Sequence, residues 1–350
     1  MEPEARLVSQ AALATFVTSL LIGKGLPKQD SKIIADALVW ANLRGVDSHG
    51  VLRIPGYLAR VDSGLNNPKP KMRVVSETGA AAVLEADRAF GQVALSRATN
   101  IALEKAELQG IGLCFVRQTT HMGAIGYFSL KISEKGMAGI IFNVSRPNMA
   151  YPDTRSAGVA TSPITIAVPG SKHAPLMLDM ATATQSMGKI QLARDTGDKL
   201  GNDWAIDADG NPTTDPLKAK IPTSLGGYKG GGLALMFECL ASLAIGNPLI
   251  APFLEGAKNG KIHMQNGVVI AINLSKFGDI SVYTREVDRL AAAIKGLPKA
   301  SGVKEVLVPG ERGDAHLLKR QSSGIPIASG TWKRLEAEAK SLQIAMPLAL

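Results

Sequence analysis

"MRVVSETGAAAVLEAD", Met72 to Asp87, is the stretch at which the texture of the chain changes. Its apolar and β-branched residues at Met72–Ser76 and Ala81–Glu85, parted by Glu77-Thr78-Gly79, predict two short strands. Upstream the period is helical: Ile33, Ala37, Leu38 and Ala41 recur at three- and four-residue spacing. Residues 4–24 and 29–44 therefore read as two helices broken at Gly25-Leu26-Pro27, with Asp30 or Ser31 able to cap the second. A third, from about Val51 to Asp62, is stopped by "SGLNNPKP", so the first seventy residues are expected to be all-helical. Downstream, a helix over Gly91–Gln109 precedes strands in "IGLCFVR" and "MAGIIFNVS", which flank a helix near Ala124–Lys135. "PITIAVPG" and "PLMLDMA" extend the strand set, a helix is expected over Ala183–Leu192, and "WAIDADGNPTTDP" has loop chemistry. A long helix follows "GGYKGGG", then the strand "GVVIAINLSKF", then helices at about 283–296 and 331–342. This order predicts an α/β (α+β) chain in which a helical domain made from both ends surrounds an inserted sheet domain. The expected division is 1–70 helical, 71–225 α/β, 226–265 a helical segment packing with the terminal domain, 266–300 a return to α/β, and 301–350 the rest of the helical domain.

Composition narrows the function. The 350 residues are 45% hydrophobic, enough for a sizeable core. The apolar stretch "GLALMFECLASLAIG", Gly232–Gly246, is shorter than the roughly 20 residues of a membrane span and carries Glu238, so no membrane partner is expected. The N-terminus has acidic residues where a signal peptide carries positive charge, which points to a cytoplasmic protein. Cys114 and Cys239 lie in apolar runs and read as small hydrophobes. The net charge of +9 is dispersed without aromatic-basic motifs, which argues for attraction of small anions and against nucleic acid. Zincin histidine spacing, Cys-x-x-Cys and G-x-S-x-G are all missing, so metal and serine hydrolase chemistry lacks its parts and no metal site is expected.

Four stretches could carry chemistry. In "RGVDSHGVLRIPGY", Arg44–Tyr57, a helix beginning at Ser48 would put His49 and Arg53 on one face. An arginine can grip a carboxylate in two parallel hydrogen bonds while an imidazole nearby exchanges a proton with the oxygen on the next carbon. A capped helix start with a surface histidine is the plainer reading. In "TTHMGAIGYF", His121 lies between a strand and a helix, beside glycines that allow close approach of a ligand. "LGGYKGGGLA" sets Lys229 and Gly230 in a glycine cluster before a helix, a phosphate cradle or a hinge; it is neither a Walker loop nor the G-x-G-x-x-G fingerprint. Asp179, at a strand end in "LDMATATQSMGKI", could bind a ribose hydroxyl, orient a histidine or cap the next helix.

Taken in order, "RGVDSHGVLRIPGY", "THMGAIGYF", "LDMATATQSMGKI", "WAIDADGNPTTDP", "YKGGGLALM" and "VPGER" (Val308–Arg312) resemble the type 2 malate/L-lactate dehydrogenases, a family that includes sulfolactate, ureidoglycolate and diketogulonate oxidoreductases and a cyclic-imine reductase. The resemblance implies a non-Rossmann nicotinamide-binding domain with a largely antiparallel mixed sheet, a helical domain from both termini, and a homodimer. It implies His49 as proton donor or acceptor with Ser48 and Arg53 in the substrate pocket, and His121 as an alternative for the proton. Cofactor contacts carry over to Ser145, to Asp179, Met180 and Ala181, to Lys229 and Gly230, and to Pro309, Gly310 and Glu311. The implied substrate is a small carboxylate, a 2-hydroxy or 2-oxo acid, with a cyclic imine or 2-imino acid as the alternative and a non-catalytic nucleotide-binding protein as the alternative of another class. NAD is the expected cofactor; NADP would need a cation at its 2′-phosphate, for which Arg146, Lys189 and Arg194 are candidates. Two departures leave the substrate open: "ATSP" at Ala160–Pro163 replaces the "GTNP" of many relatives, and Ser145 stands where ureidoglycolate enzymes carry lysine.

Overall fold

The computed structural model describes residues 5–257 and 264–350. The expected start of the first helix at residue 4 and part of the segment 226–265 lie outside the described residues. The chain opens with a strand, β1 (Arg6–Val8), before helices α1 (Gln10–Gly23), α2 (Lys28–Leu43) and α3 (Ile54–Asp62). The first seventy residues are thus not all-helical: β1 pairs antiparallel with β13 (Ile325–Ile327), an N-terminal contact made by the far end of the chain. Ser9 caps α1 by accepting from Ala12 N. α2 starts directly after Pro27, without the Asp30 or Ser31 cap, because the fixed proline φ already sets the first turn.

The centre is a seven-stranded sheet, ordered β2 (Arg73–Glu77), β3 (Ala81–Glu85), β4 (Ile111–Thr119), β12 (Gln265–Ile272), β5 (Ala138–Val144), β8 (Ile164–Val168), β9 (Leu176–Met180). Only β3 and β4 pair in parallel, and the crossover this demands is α4 (Gly91–Gln109). α4 can lie close because Ala94, Ala98, Ala102 and Ala106, one per turn, are all fully buried, and because Gly112 of β4 has no side chain; a methyl there would lie 1.8 Å from Ala102 O. α5 (Gly126–Ser133) shares that face, where Phe128 and Ile132 join Leu84, Val116 and Ile141. The opposite face is covered by α7 (Tyr228–Ala241), whose Phe237 stacks on Phe142 at 4.5 Å. Residues 228–245 are apolar and long enough to cross a membrane by length and composition, with 39% of the window buried. Here the helix packs on the sheet, and its buried Glu238 accepts from Leu249 N and Ile250 N.

Short pieces complete the chain: β6 (Met149–Ala150) with β7 (Ala157–Val159), α6 (Met187–Thr196), β10 (Ala205–Ile206) with β11 (Ile221–Pro222), α8 (Ile250–Leu254), α9 (Ile280–Lys295), α10 (Glu311–Ser323) and α11 (Ser329–Ser341). α6 begins four residues later than Ala183, which instead bridges to Ser224, and Ser186 caps the helix. α10 has no counterpart in the sequence reading. A separate core unites the chain ends, with Leu13, Val17, Leu20, Ile34, Leu38, Ile54 and Leu58 meeting Ile325, Ile327, Trp332 and Leu335. Cys114 is buried, Cys239 partly so, and both are free thiols.

Candidate active site

The loop after α2 is wound around one side chain. Asn42 Oδ1 accepts from Val51 N at 2.8 Å while Nδ2 donates to Asp47 Oδ1 at 2.6 Å. Gly50 must be glycine here, since a methyl would lie 2.2 Å from Asn42 Oδ1. The outcome corrects the expected helix from Val51: the backbone makes two 3-10 turns, Asp47–His49 and Val51–Arg53, broken at Gly50, and α3 begins only at Ile54. His49 and Arg53 do not share one helical face. Arg53 reaches back all the same, its Nε donating to Ser48 O at 2.6 Å, and its two Nη groups make no hydrogen bond among the described residues. Ser48 Oγ lies 3.0 Å from His49 Nδ1.

His121 follows β4, whose end is pinned where Thr119 and Thr120 hydroxyls donate to Ala89 O. Its ring stacks on that of His49 at 5.6 Å, 19° from parallel, so loops seventy residues apart in sequence meet. Two residues without an assigned role in the sequence reading complete the group. The Tyr57 hydroxyl lies 2.7 Å from His121 Nδ1, and Gln92 Nε2 donates to that hydroxyl at 2.9 Å. Tyr57 closes the quoted motif, but its partner lies 64 positions away and no local pattern points to it.

The electrostatics follow from enclosure. Burial, then the Arg53 cation, pushes the His49 imidazole down to about 4. His121 is held well below its ordinary value by burial and by His49, Arg53 and Arg60. Burial raises the Tyr57 phenol, so near neutrality the cluster is two neutral imidazoles and a neutral phenol beside Arg53, with Arg60 close enough to act on His121 and Tyr57. His49, His121 and Arg53 each keep some exposed surface while hemmed in by protein, as groups lining a crevice do.

The residues expected at the cofactor fall along β9 and its neighbours. Asp179 keeps an exposed edge yet its carboxyl is pushed up to about 6 by its enclosure, against the opposing pull of the Gly126 N–H, 3.2 Å from Oδ2, and of Arg44. Met180 and Ala181 follow it. One side of this strand meets the glycine turn: Leu225 N donates to Thr182 O at 2.8 Å, and a methyl on Gly230 would lie 2.3 Å from that oxygen. The other meets the segment before α10, where Met177 N donates to Pro309 O at 3.1 Å and Gly310 takes φ +104°. Glu311 turns away, its carboxylate taken by Lys295 at 2.5 Å, His173 at 3.2 Å and Val308 N at 3.0 Å. Ser145, just past β5, donates to Arg146 O, and among the described residues no side-chain hydrogen bond joins it to Asp179, Lys229 or Glu311. Arg146 and Lys189 are exposed, whereas Arg194 donates to Pro216 O and Ala219 O. The two halves of the site adjoin, because Gly126 follows the His121 loop and a methyl on Gly188 would lie 3.4 Å from Ser48 Cβ.

This donor set suits a nicotinamide dinucleotide. Gly226 and Gly227, at φ +58° and +60°, turn the chain into the N-terminus of fourteen-residue α7 beside exposed Lys229, a cradle for phosphate, and Asp179 offers a carboxylate edge for hydroxyls.

Comparison with known proteins identifies the family. The family profile described as malate/L-lactate dehydrogenase matches residues 8–336. L-Sulfolactate dehydrogenase of Methanocaldococcus jannaschii is 38% identical over 315 residues, 89% of this chain and 90% of that protein. Malate dehydrogenase of Pyrococcus horikoshii is 33% identical over 347 residues, 96% of each. The crystal structure of malate dehydrogenase from Entamoeba histolytica superposes with a TM-score of 0.92 at 26% identity, covering 98% of this chain and 100% of that one. The chain belongs to the malate/L-lactate dehydrogenase family and is an oxidoreductase of its nicotinamide-dependent kind.

Proposed function

We propose that the protein catalyses reversible, nicotinamide-dependent interconversion of a small 2-hydroxy acid and its 2-oxo acid, in a crevice between the terminal helices (1–70 and 301–350) and the sheet. The observation that carries this reading is Arg53: its Nε is tied to Ser48 O, so both Nη groups are left to meet a carboxylate beside two neutral imidazoles 5.6 Å apart. NAD is the cofactor in this reading, since Arg194, one of the three candidate cations for a 2′-phosphate, already donates to Pro216 O and Ala219 O. Asp179 to Ala181, Lys229–Gly230 and Pro309–Gly310 would hold it on a non-Rossmann sheet, Glu311 acting through its ion pairs. Bound nicotinamide supplies the hydride donor or acceptor.

The remaining steps belong to side chains. Arg53 fixes the acid's carboxylate. The Ser48 hydroxyl bonds the C2 oxygen and, across its 3.0 Å contact with His49 Nδ1, hands the hydroxyl proton to that imidazole as C2–O becomes C=O. In the reverse direction the same proton returns. Gln92 donates to Tyr57, so the Tyr57 O–H donates a hydrogen bond to His121 Nδ1, which leaves neutral His121 with its hydrogen on Nε2, a donor that polarises the C2 oxygen.

A spectrophotometric panel of NADH and NADPH against pyruvate, oxaloacetate, sulfopyruvate and a cyclic imine tests the class; turnover of the imine alone would replace this reading. Within the panel, His49→Ala should cut turnover by about 10²- to 10⁴-fold with cofactor affinity nearly unchanged. Unaltered turnover would remove His49 as the acid/base.

A further inference from the structure

α10 carries no buried residue, yet one of its faces is charged and engaged along its whole length. At its first turn Arg44, with only 4% of its side chain exposed, pairs with Asp314 and donates Nη2 to Gly310 O at 2.8 Å. The guanidinium also lies 5.3 Å from the Trp40 ring, and Gly313 makes room for it, since a methyl there would lie 2.6 Å from Nη2. Midway, His316 lies against Gly45, where a methyl would be 3.1 Å from the imidazole. In the last turn Arg320 grips Asp47 with both arms, Nη1 to Oδ1 at 2.7 Å and Nη2 to Oδ2 at 3.0 Å, while Nη1 also donates to Asn42 O. Asp47 directly precedes Ser48 and His49, and Gly310 belongs to the segment against β9. The helix therefore spans from one half of the site to the other, roughly 20 Å for thirteen residues at 1.5 Å each.

We propose that α10 is a strut that sets the Ser48–His49 loop in register with the cofactor-side segment 308–310, and that Arg320 is its positioning residue for the acid–base pair. The inference rests on the functional reading above. Arg320 touches no substrate or cofactor; it acts through Asp47. Two arms on one carboxylate fix the plane of that carboxylate as well as its distance, which a single ammonium cannot do. Asn42 binds the same Asp47 from α2, so with Arg320 gone the Asp47 carboxylate keeps one side-chain partner and can turn about it. A displacement of about 1 Å at reacting groups can cost on the order of 10² in rate.

The test combines steady-state kinetics with a fluorescence titration of NADH on the full-length protein. Arg320→Met should lower kcat at least tenfold, with the NADH dissociation constant within twofold of wild type. Arg320→Lys, keeping the charge without the fork, should recover only part of the loss. Asp47→Asn combined with Arg320→Met should be no worse than Arg320→Met alone, because the ion pair between them is already lost in the single variant and the amide oxygen in place of Oδ1 still accepts from Asn42 Nδ2. Wild-type kcat in Arg320→Met, full recovery in the lysine variant, or losses that multiply in the double variant would each overturn the strut. If Arg320→Met does not fold, Asp47→Asn and Arg320→Lys decide on the same readouts. His49→Ala run alongside separates the two claims: turnover lost there but kept in Arg320→Met sinks the strut alone, whereas turnover kept in His49→Ala sinks the acid–base reading whatever Arg320 does.

Discussion

The surroundings of His49 suit it to the role of base in the proposed reaction. An unperturbed imidazole is half protonated near 6.5, so a group brought down to about 4 by burial and by Arg53 is neutral throughout the physiological range. Oxidation of a hydroxy acid requires that neutral form. The kcat/KM for oxidation, which reports the free enzyme, should therefore stay level as pH falls past 6.5 and decline only toward about 4. Arg53→Gln removes the smaller of the two causes and leaves burial, so the acid limb should move up toward, without reaching, 6.5 as the Michaelis constant for the acid rises. A wild-type limb at 6.5 or above would refute the assignment. In the proposed reaction a bound carboxylate would cancel the Arg53 charge, and the His49 proton affinity would rise when the proton has to be held. The residue that titrates was visible in the sequence as one histidine among five; Tyr57 and Gln92, which orient its neighbour, were not. Their roles come from contacts 64 and 35 positions apart.

Elements differ in how openly the sequence declares them. α4 matched its expected span of Gly91–Gln109 because its buried face repeats alanine every fourth residue and Gly110, at φ +84°, ends it. The strands β5, β8 and β9 were equally legible from their apolar runs. α10 was not, because hydrophobic period is silent about a helix held by Asp314 and Arg320 to partners about 270 positions away. β1 and β13 are three residues each and acquire strand geometry only by pairing with one another. The break at Gly50 was hidden for a similar reason, since Asn42 dictates it. The glycine turn before α7 could be read as hinge or cradle, and its packing supplies a test of the cradle proposed above. A hinge tolerates a methyl, but at Gly230 one would meet Thr182 O at 2.3 Å and Leu225 N at 2.7 Å, both backbone. Gly230→Ala should therefore push the turn off β9, raising the NADH dissociation constant at least tenfold and costing about 1–3 kcal/mol of stability. If NADH binds the variant as it binds wild type, the turn takes no part in holding cofactor.

At the scale of the molecule, the loop that carries Ser48, His49 and Arg53 sits on a core completed by residues 325–339, far along the chain. α1, α2 and α3 do not close a core by themselves: Val8, Leu13, Leu38, Ile54 and Leu58 share theirs with Ile325, Ile327, Trp332, Leu335 and Ala339. Trp332 is the largest side chain in that C-terminal set; it is 6% exposed, and the Arg6 guanidinium covers its ring at 4.9 Å. Trp332→Ala should cost about 3–5 kcal/mol, the usual range for removing a buried aromatic ring, and the loss falls on the layer holding Ser48, His49 and Arg53. The sheet keeps its own cores on both faces, built from residues such as Ala98, Val116 and Ile141 on one side and Phe142, Phe237 and Val268 on the other. Urea unfolding of the variant, followed by circular dichroism, should then begin earlier than in wild type. Because the terminal core is separate from those on the two sheet faces, the transition should broaden or split rather than shift as a whole. The Michaelis constant for the acid should rise at urea concentrations where most of the strand signal persists. A midpoint within experimental scatter of wild type, or loss of sheet and acid binding in one sharp step, would mean that the joined chain ends are not a separately stabilised layer and that the loop draws its rigidity from the sheet instead.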